Sequence, residues 1–404
     1  MKNVKLSRSI SFKKLIFYWL WTMVWGGFYA LLWEIAGLAG ILTPLAFLIA
    51  GIIALINSFT YGELSSRYPY SAWEFNYVDA AFKNRFFSIF VALLVVATWV
   101  VSAATLSVAT IWFLNDFIHL PQSLWIIVLV ITMWAIGAWW IWKSMWVILF
   151  ITIIELWALL YITISAWGNL ENFYEIKKGF DIITSDSFLM VWIFSGAFLW
   201  FYAFLGFEDM ANMAEEVKDT RKNLPKAMIL SIIITTLIYV LVSSIAVLTV
   251  TPEELNNAST PLAKIVESAG SNSIIFITIV SILTWINWAL VQIIMASRVF
   301  YWVWKKSIKL KYFSIVNKKT KTPIRSTLLA SIIVLLLALF FPLITLAKIT
   351  STIILIVFSI LNLALIKIKI DIPNVSKDVI TFNLLVPIVG FIICVSMLIF
   401  WLLL

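Results

Sequence analysis

The sequence predicts an all-α polytopic membrane protein: an inverted repeat of two five-span sets, one further C-terminal span, and a cytoplasmic N-terminus. Three observations predict this. The 404 residues are 63% hydrophobic and 12% charged, with a mean hydropathy of +1.03, a balance that no water-facing surface of this size carries. Apolar runs of about 20 residues recur near 14–38, 40–62, 86–115, 122–142, 145–168, 187–211, 227–250, 273–300, 325–342, 346–368 and 381–403, eleven spans in all. Glycines interrupt the first and the sixth span, the matching members of the two sets.

Span one holds Gly26 and Gly27 between Trp25 and Phe28, with Glu34 towards its outer end. Span two leads into the cytoplasmic loop 63–85, and the short external loop after span three contains His119, read as a solvated loop residue. Trp139, Trp140, Trp142 and Trp146, where span four passes to span five, read as interfacial anchors. Glu155 lies near the middle of span five, which has no basic residue to pair with it. That carboxyl is therefore protonated at rest, or a proton or cation site, or paired from another helix. Span six carries Gly206 followed by Glu208 and Asp209, a helix breaker and two acids within lipid-spanning sequence. In span eight Ser281, Thr284 and Asn287 recur every third residue on one face, where they line a pocket or bond the carbonyls of the preceding turn. Spans nine and ten divide at Pro342. Span eleven falls outside the repeat and holds the single cysteine, Cys394, so neither a disulfide nor a thiolate metal cluster is expected. Five spans per set is an odd number, which inserts the second set upside down relative to the first.

The net charge of +9 is distributed by topology. With the N-terminus inside, only Lys177, Lys178, Lys264 and Lys348 of the 29 basic residues fall outside. This is the positive-inside asymmetry, and it removes nucleic acid as the expected partner. The basic segment before span one is expected to be retained, because span one is too long for a signal peptide and has no small-residue cleavage pattern.

A helix interrupted at mid-membrane exposes N–H groups at one end and carbonyls at the other. The first attract a carboxylate, and the second accept from an ammonium group or coordinate a cation. Two such breaks facing each other make a receptor for a zwitterion. Gly26 and Gly27 permit close approach, and Trp25, Phe28, Tyr202 and Phe204 are placed to close over a substrate or to pack. Tyr202, just before the break, is read as a gate, Glu208 as a backbone N–H acceptor or proton carrier, and Glu34 as an entrance group or a snorkelling one.

The run from Gly206-Phe207-Glu208 through Ala214-Glu215-Glu216-Val217 to Asn223-Leu224-Pro225-Lys226-Ala227 closely resembles the amino acid-polyamine-organocation (APC) permeases. Tyr61, Glu63, Leu64, Arg67, Pro69, Ser71 and Tyr77 are similar to a second signature of that family, with Ala72-Trp73 in place of two glycines. Ala296-Ser297-Arg298 with Tyr301 is similar to a third. The resemblance implies the leucine-transporter (LeuT) type of five-plus-five fold. It implies that amides of Gly26 and Gly27 hold a substrate carboxylate, while carbonyls of Met23, Tyr202 and Leu205, flanking Ala203 and Gly206, receive the amino group. Trp25 replaces a family glycine, and Glu155 stands near a lysine of some proton-coupled relatives. The expected function is secondary active transport of an amino acid or related amine across the cell membrane. Symport with H+ or Na+ is the first reading, exchange the second, and a non-transporting amino-acid sensor the third. No cofactor is expected, nor enzyme chemistry, since no nucleophile–base or metal-ligand constellation appears in the sequence.

Overall fold

In a bilayer every backbone polar group needs an internal partner, and a helix provides one within a single segment. The apolar runs accordingly fold as helices. The computed structural model describes residues 10–23, 27–69, 73–115, 120–139, 144–168, 195–199, 201–214, 216–258, 260–270, 273–305, 317 and 322–403.

The first span comprises α1 (Phe12–Met23) and α2 (Gly27–Ala39). A 3-10 turn, Gly40–Leu42, separates α2 from α3 (Thr43–Arg67), which carries Pro44 in its first turn. Then follow α4 (Trp73–Phe82), α5 (Arg85–Asn115), α6 (Gln122–Trp139) and α7 (Ser144–Ala166). Helical residues 195–199 lead into the 3-10 segments Phe201–Phe204 and Glu208–Met213. The remainder is α8 (Thr220–Thr249), α9 (Pro252–Asn257), α10 (Pro261–Ser268), α11 (Ile274–Lys305), α12 (Ile324–Phe340), α13 (Leu343–Asp371) and α14 (Leu385–Leu403). Among the described residues 6 helical stretches are long and apolar enough to cross a membrane: Gly27–Arg67, Arg85–Leu114, Thr220–Thr249, Ile274–Tyr301, Leu343–Asp371 and Leu385–Leu403. The first of these is divided at Gly40 (φ +58°). Short helices α4, α9 and α10 were not legible in loops 63–85 and 251–272. The acid-and-hydroxyl capping box of Thr251 and Glu254 starts α9.

Helices far apart in sequence pack against each other: α3 on α8, α5 on α11, and α6 on α12. The first and sixth spans meet at Gly27 and Ala203. Large apolar side chains such as Ile164, Leu237, Ile275 and Phe340 point outward. In water they would form an adhesive surface; in lipid they are at home.

Polar contacts lock one end of the bundle. The buried Glu63 carboxylate accepts from Arg67 (2.8 and 3.0 Å), from Lys369 Nζ (2.7 and 2.8 Å) and from the Phe382 amide (2.8 Å). Ser66 donates to the Arg221 carbonyl (2.8 Å) and accepts from the Ile380 amide (2.9 Å), and Arg221 pairs with Asp378. At the same end Ile10 pairs in parallel with the strand-like turn at Val217, through two backbone bonds of 3.0 Å. Deeper inside, Asn362 joins α3 to α13 by donating to Asn57 (2.8 Å) and accepting from Thr60 (2.6 Å), and Cys394 of α14 reaches the same Asn57 oxygen at 3.5 Å.

Candidate functional site

The sixth span abandons α geometry where glycine and the acid pair are placed. Phe201–Phe204 makes one 3-10 turn, Gly206 takes φ +114°, and a second 3-10 segment begins at Glu208. A side chain at position 206 would strain this backbone, which is the reason glycine sits there. The Gly206 amide donates to Glu208 Oε2 at 2.9 Å, so the carboxylate closes the turn within its own segment rather than bridging to the first span.

Gly27 lies directly against this turn. A Cβ built there would stand 2.3 Å from the Ala203 Cα and 2.7 Å from its nitrogen, so only glycine allows the contact. Met23 is the last residue of α1, and its carbonyl accepts from the Tyr239 hydroxyl, which also lies 3.0 Å from the Ala203 carbonyl. One phenol of α8 thus faces the carbonyl at the end of α1 and one in the 3-10 turn at Ala203. The Tyr202 carbonyl accepts from the Leu205 amide at 3.3 Å. Each of these carbonyls keeps a second lone pair for a donor from outside. Phe28, Phe47 and Tyr239 form a mutual aromatic cluster, with Phe28 stacked on each of the others at 5.0 and 4.8 Å and those two 5.3 Å apart, and Phe204 meets Tyr239 edge-on at 5.3 Å. Trp25 and Gly26 lie outside the described residues, as does His119.

Tyr202 is buried, and its hydroxyl is 2.8 Å from Ser102 Oγ on α5. Asp209 accepts from Trp99 Nε1 at 3.0 Å. Nearby, on α4, the buried Glu74 accepts from the Tyr61 hydroxyl at 2.8 Å. α4 is too short to span a bilayer, and burial within it pushes the Glu74 carboxyl up to about 7.

A second polar centre joins two residues that the sequence offered separately. Glu155 of α7 is buried, and its Oε1 accepts from the Thr284 hydroxyl of α11, while Oε2 has no hydrogen-bond partner among the described residues. The Thr284 hydroxyl, with a single proton to give, also lies 2.8 Å from the Val280 carbonyl, and Ser281 donates to the Ile277 carbonyl (2.9 Å). Ser281 therefore bonds the preceding turn, and Thr284 faces both that turn and Glu155. Asn287 and Glu34 are half-buried, and Glu34 lies within electrostatic reach of Lys348. An open depression of about 650 Å³ is lined by Thr251, Glu254, Asn257, Lys264 and Glu267, and none of the residues at the break contributes to it.

Tyr239, Ser102, Gln292 and Glu74 escaped the sequence reading. Ser102, Tyr239 and Gln292 are polar or amphipathic residues within apolar runs, a signal present but shared with many others.

The profile of the amino acid permease family matches residues 10–404. The chain belongs to the amino acid permease family. It is similar to a mitochondrial cationic amino acid transporter of Arabidopsis thaliana, 24% identical over 394 residues, covering 91% of this chain and 63% of that one. It is also similar to a branched-chain amino acid permease of Bacillus subtilis, 24% identical over 359 residues, covering 82% of this chain and 75% of that one. A methylthioribose transporter of Bacillus subtilis is 28% identical over 197 residues, covering 48% of this chain and 42% of its own length. The permease thus spans less than two thirds of the first of these relatives. The family and the apolar helices together make it a multi-pass membrane protein.

Proposed function

We propose that this permease is a secondary active transporter of amino acids or related amines, working by alternating access and driven by a proton or sodium ion. The observation that carries the reading is the contact of Gly27 with the unwound turn at Ala203. Backbone that leaves helical geometry within a membrane is tolerated where it is buried in protein or lines a path. Here it lies beside carbonyls of both interrupted spans, with acceptor capacity to spare. The pairing of α3 with α8, α5 with α11 and α6 with α12 supports two inverted five-span sets with α14 added. In this reading the end bearing Arg67, Arg221 and Lys369 faces the cytoplasm of a cell membrane.

Glu155 is the group we assign to coupling. An ionised carboxylate in an apolar interior costs several kcal/mol unless a cation accompanies it. Among the described residues Thr284 satisfies one Glu155 oxygen and the other has no partner. A proton or Na+ at the other would join this side of the bundle during one half of the cycle and leave in the other.

Uptake of radiolabelled amino acids by purified protein in proteoliposomes tests the reading. Accumulation against a gradient when a proton or sodium gradient is imposed is the expected result. Uptake requiring a second amino acid inside would replace symport by exchange, and binding without uptake would make the protein a sensor.

A further inference from the structure

Gln292 lies on α11, 3% exposed, with only half of its amide satisfied. Nε2 donates to Ser102 Oγ at 2.8 Å, and the Ser102 hydroxyl is 2.8 Å from Tyr202. Oε1 has no partner among the described residues. The three side chains form a line running from α11 through α5 to the unwound turn, and Tyr202 adjoins Ala203, which touches Gly27. A polar trio that merely pins helices together would close its own hydrogen bonds, because an acceptor left open in an apolar interior is destabilising. Ser102 and Tyr202 occupy each other, and the open valence falls on Gln292 alone.

We infer that Gln292 Oε1 accepts a hydrogen bond from the substrate's own side chain, so that the protein selects amino acids bearing a side-chain O–H or N–H. Ser102 and Tyr202 are positioning residues that hold the amide in place. The inference rests on the transport reading above and adds the substrate class to it. A site built to bond a donor discriminates strongly against an analogue lacking it, since binding that analogue leaves the acceptor buried and unpaired.

The test uses the full chain in proteoliposomes and near-isosteric pairs: threonine with valine, asparagine with leucine, serine with alanine. Wild type is expected to favour the donor-bearing member of the transported pairs by about tenfold or more in kcat/KM. Gln292→Met should bring the ratio near one, and Gln292→Glu should retain the preference. Ser102→Ala should lower the ratio and Ser102→Thr restore it, which a purely structural serine would not do. If Gln292→Met does not fold, as judged by gel filtration, the Ser102 pair decides. A wild-type ratio at or below one, or a ratio unmoved in these variants, overturns the inference and leaves transport standing. Absence of uptake of every amino acid overturns the transport reading and this inference with it.

Discussion

Two residues carry the sharpest consequences. At Gly27 the space for a side chain is already filled by Ala203 backbone, so even one methyl must push the first and sixth spans apart. Overpacking of this kind costs about 1–3 kcal/mol. Gly27→Ala should therefore lower thermal stability in detergent and suppress uptake together, and Ala203→Gly in the same chain should not restore them, because the Cα and nitrogen that the new methyl meets remain in glycine. A melting temperature unchanged in Gly27→Ala would show that the two spans part without cost. Glu155 leads to a different expectation. Gln in its place keeps a partner for Thr284 but takes no proton and holds no cation by charge. Glu155→Gln should abolish accumulation driven by an ion gradient while leaving counterflow exchange of labelled substrate at a comparable rate. Counterflow lost together with accumulation would move Glu155 from coupling to folding.

At the scale of elements, α8 is the part that joins the end of α1 to the 3-10 turn at Ala203. Tyr239 presents one hydroxyl to carbonyls of both, and Tyr239→Phe removes the donor while keeping the stack with Phe28 and Phe204. A single hydrogen bond of this sort is worth about 1 kcal/mol net, so stability should barely change. Turnover should fall several-fold if the phenol holds the two segments in register, and an unchanged kcat would show that it does not. The helix order was legible because apolar runs of the required length stand between charged or proline-containing loops, and the break was legible because glycine with two acids has no reason to occur in plain lipid-facing helix. The contacts that make the site were not. Ser102 meets Tyr202 across 100 positions and Gln292 meets Ser102 across 190, and no local pattern encodes such pairs. Glu155 and Thr284 were each readable as polar residues in apolar surroundings, but their bond spans 129 positions and two helices. Helix α4 was missed for a related reason. Its ten residues mix apolar, aromatic and acidic side chains without a long run, and its order comes from packing on α5 and α13.

For the molecule as a whole, one end is closed by charge and the question is how that closure responds to pH and to mutation. Glu74 of α4 is buried beside Tyr61, within electrostatic reach of Tyr77, Glu208 and Asp209, and burial raises its carboxyl to about 7. A carboxyl whose folded value exceeds its unfolded value binds more protons when folded. Its stabilisation is then fully present below the unfolded value and fades as pH rises towards the folded one. For this group the window runs from the ordinary glutamate range, about 4.3, to about 7, and the loss amounts to about 4 kcal/mol at one pKa unit per 1.36 kcal/mol. Melting temperature in detergent should therefore decline between pH 5 and pH 7.5, and Glu74→Gln should flatten that decline. Mutation probes the Glu63 cluster, where one acid is held by two cations and an amide. Glu63 is fully buried, Arg67 and Lys369 are 6% and 11% exposed, and the Phe382 amide brings the 372–384 connection onto the same oxygens. Removing the acid strands two buried cations, a situation that costs about 3–5 kcal/mol for a single broken pair. Removing Lys369 leaves Glu63 still bonded to Arg67 and Phe382. Glu63→Gln should accordingly lower the melting temperature far more than Lys369→Met, and the double variant should be less destabilised than the sum of the two. Equal losses in the two single variants would mean that Arg67 does not compensate Glu63, and that Lys369 alone holds this end of α13 to α3.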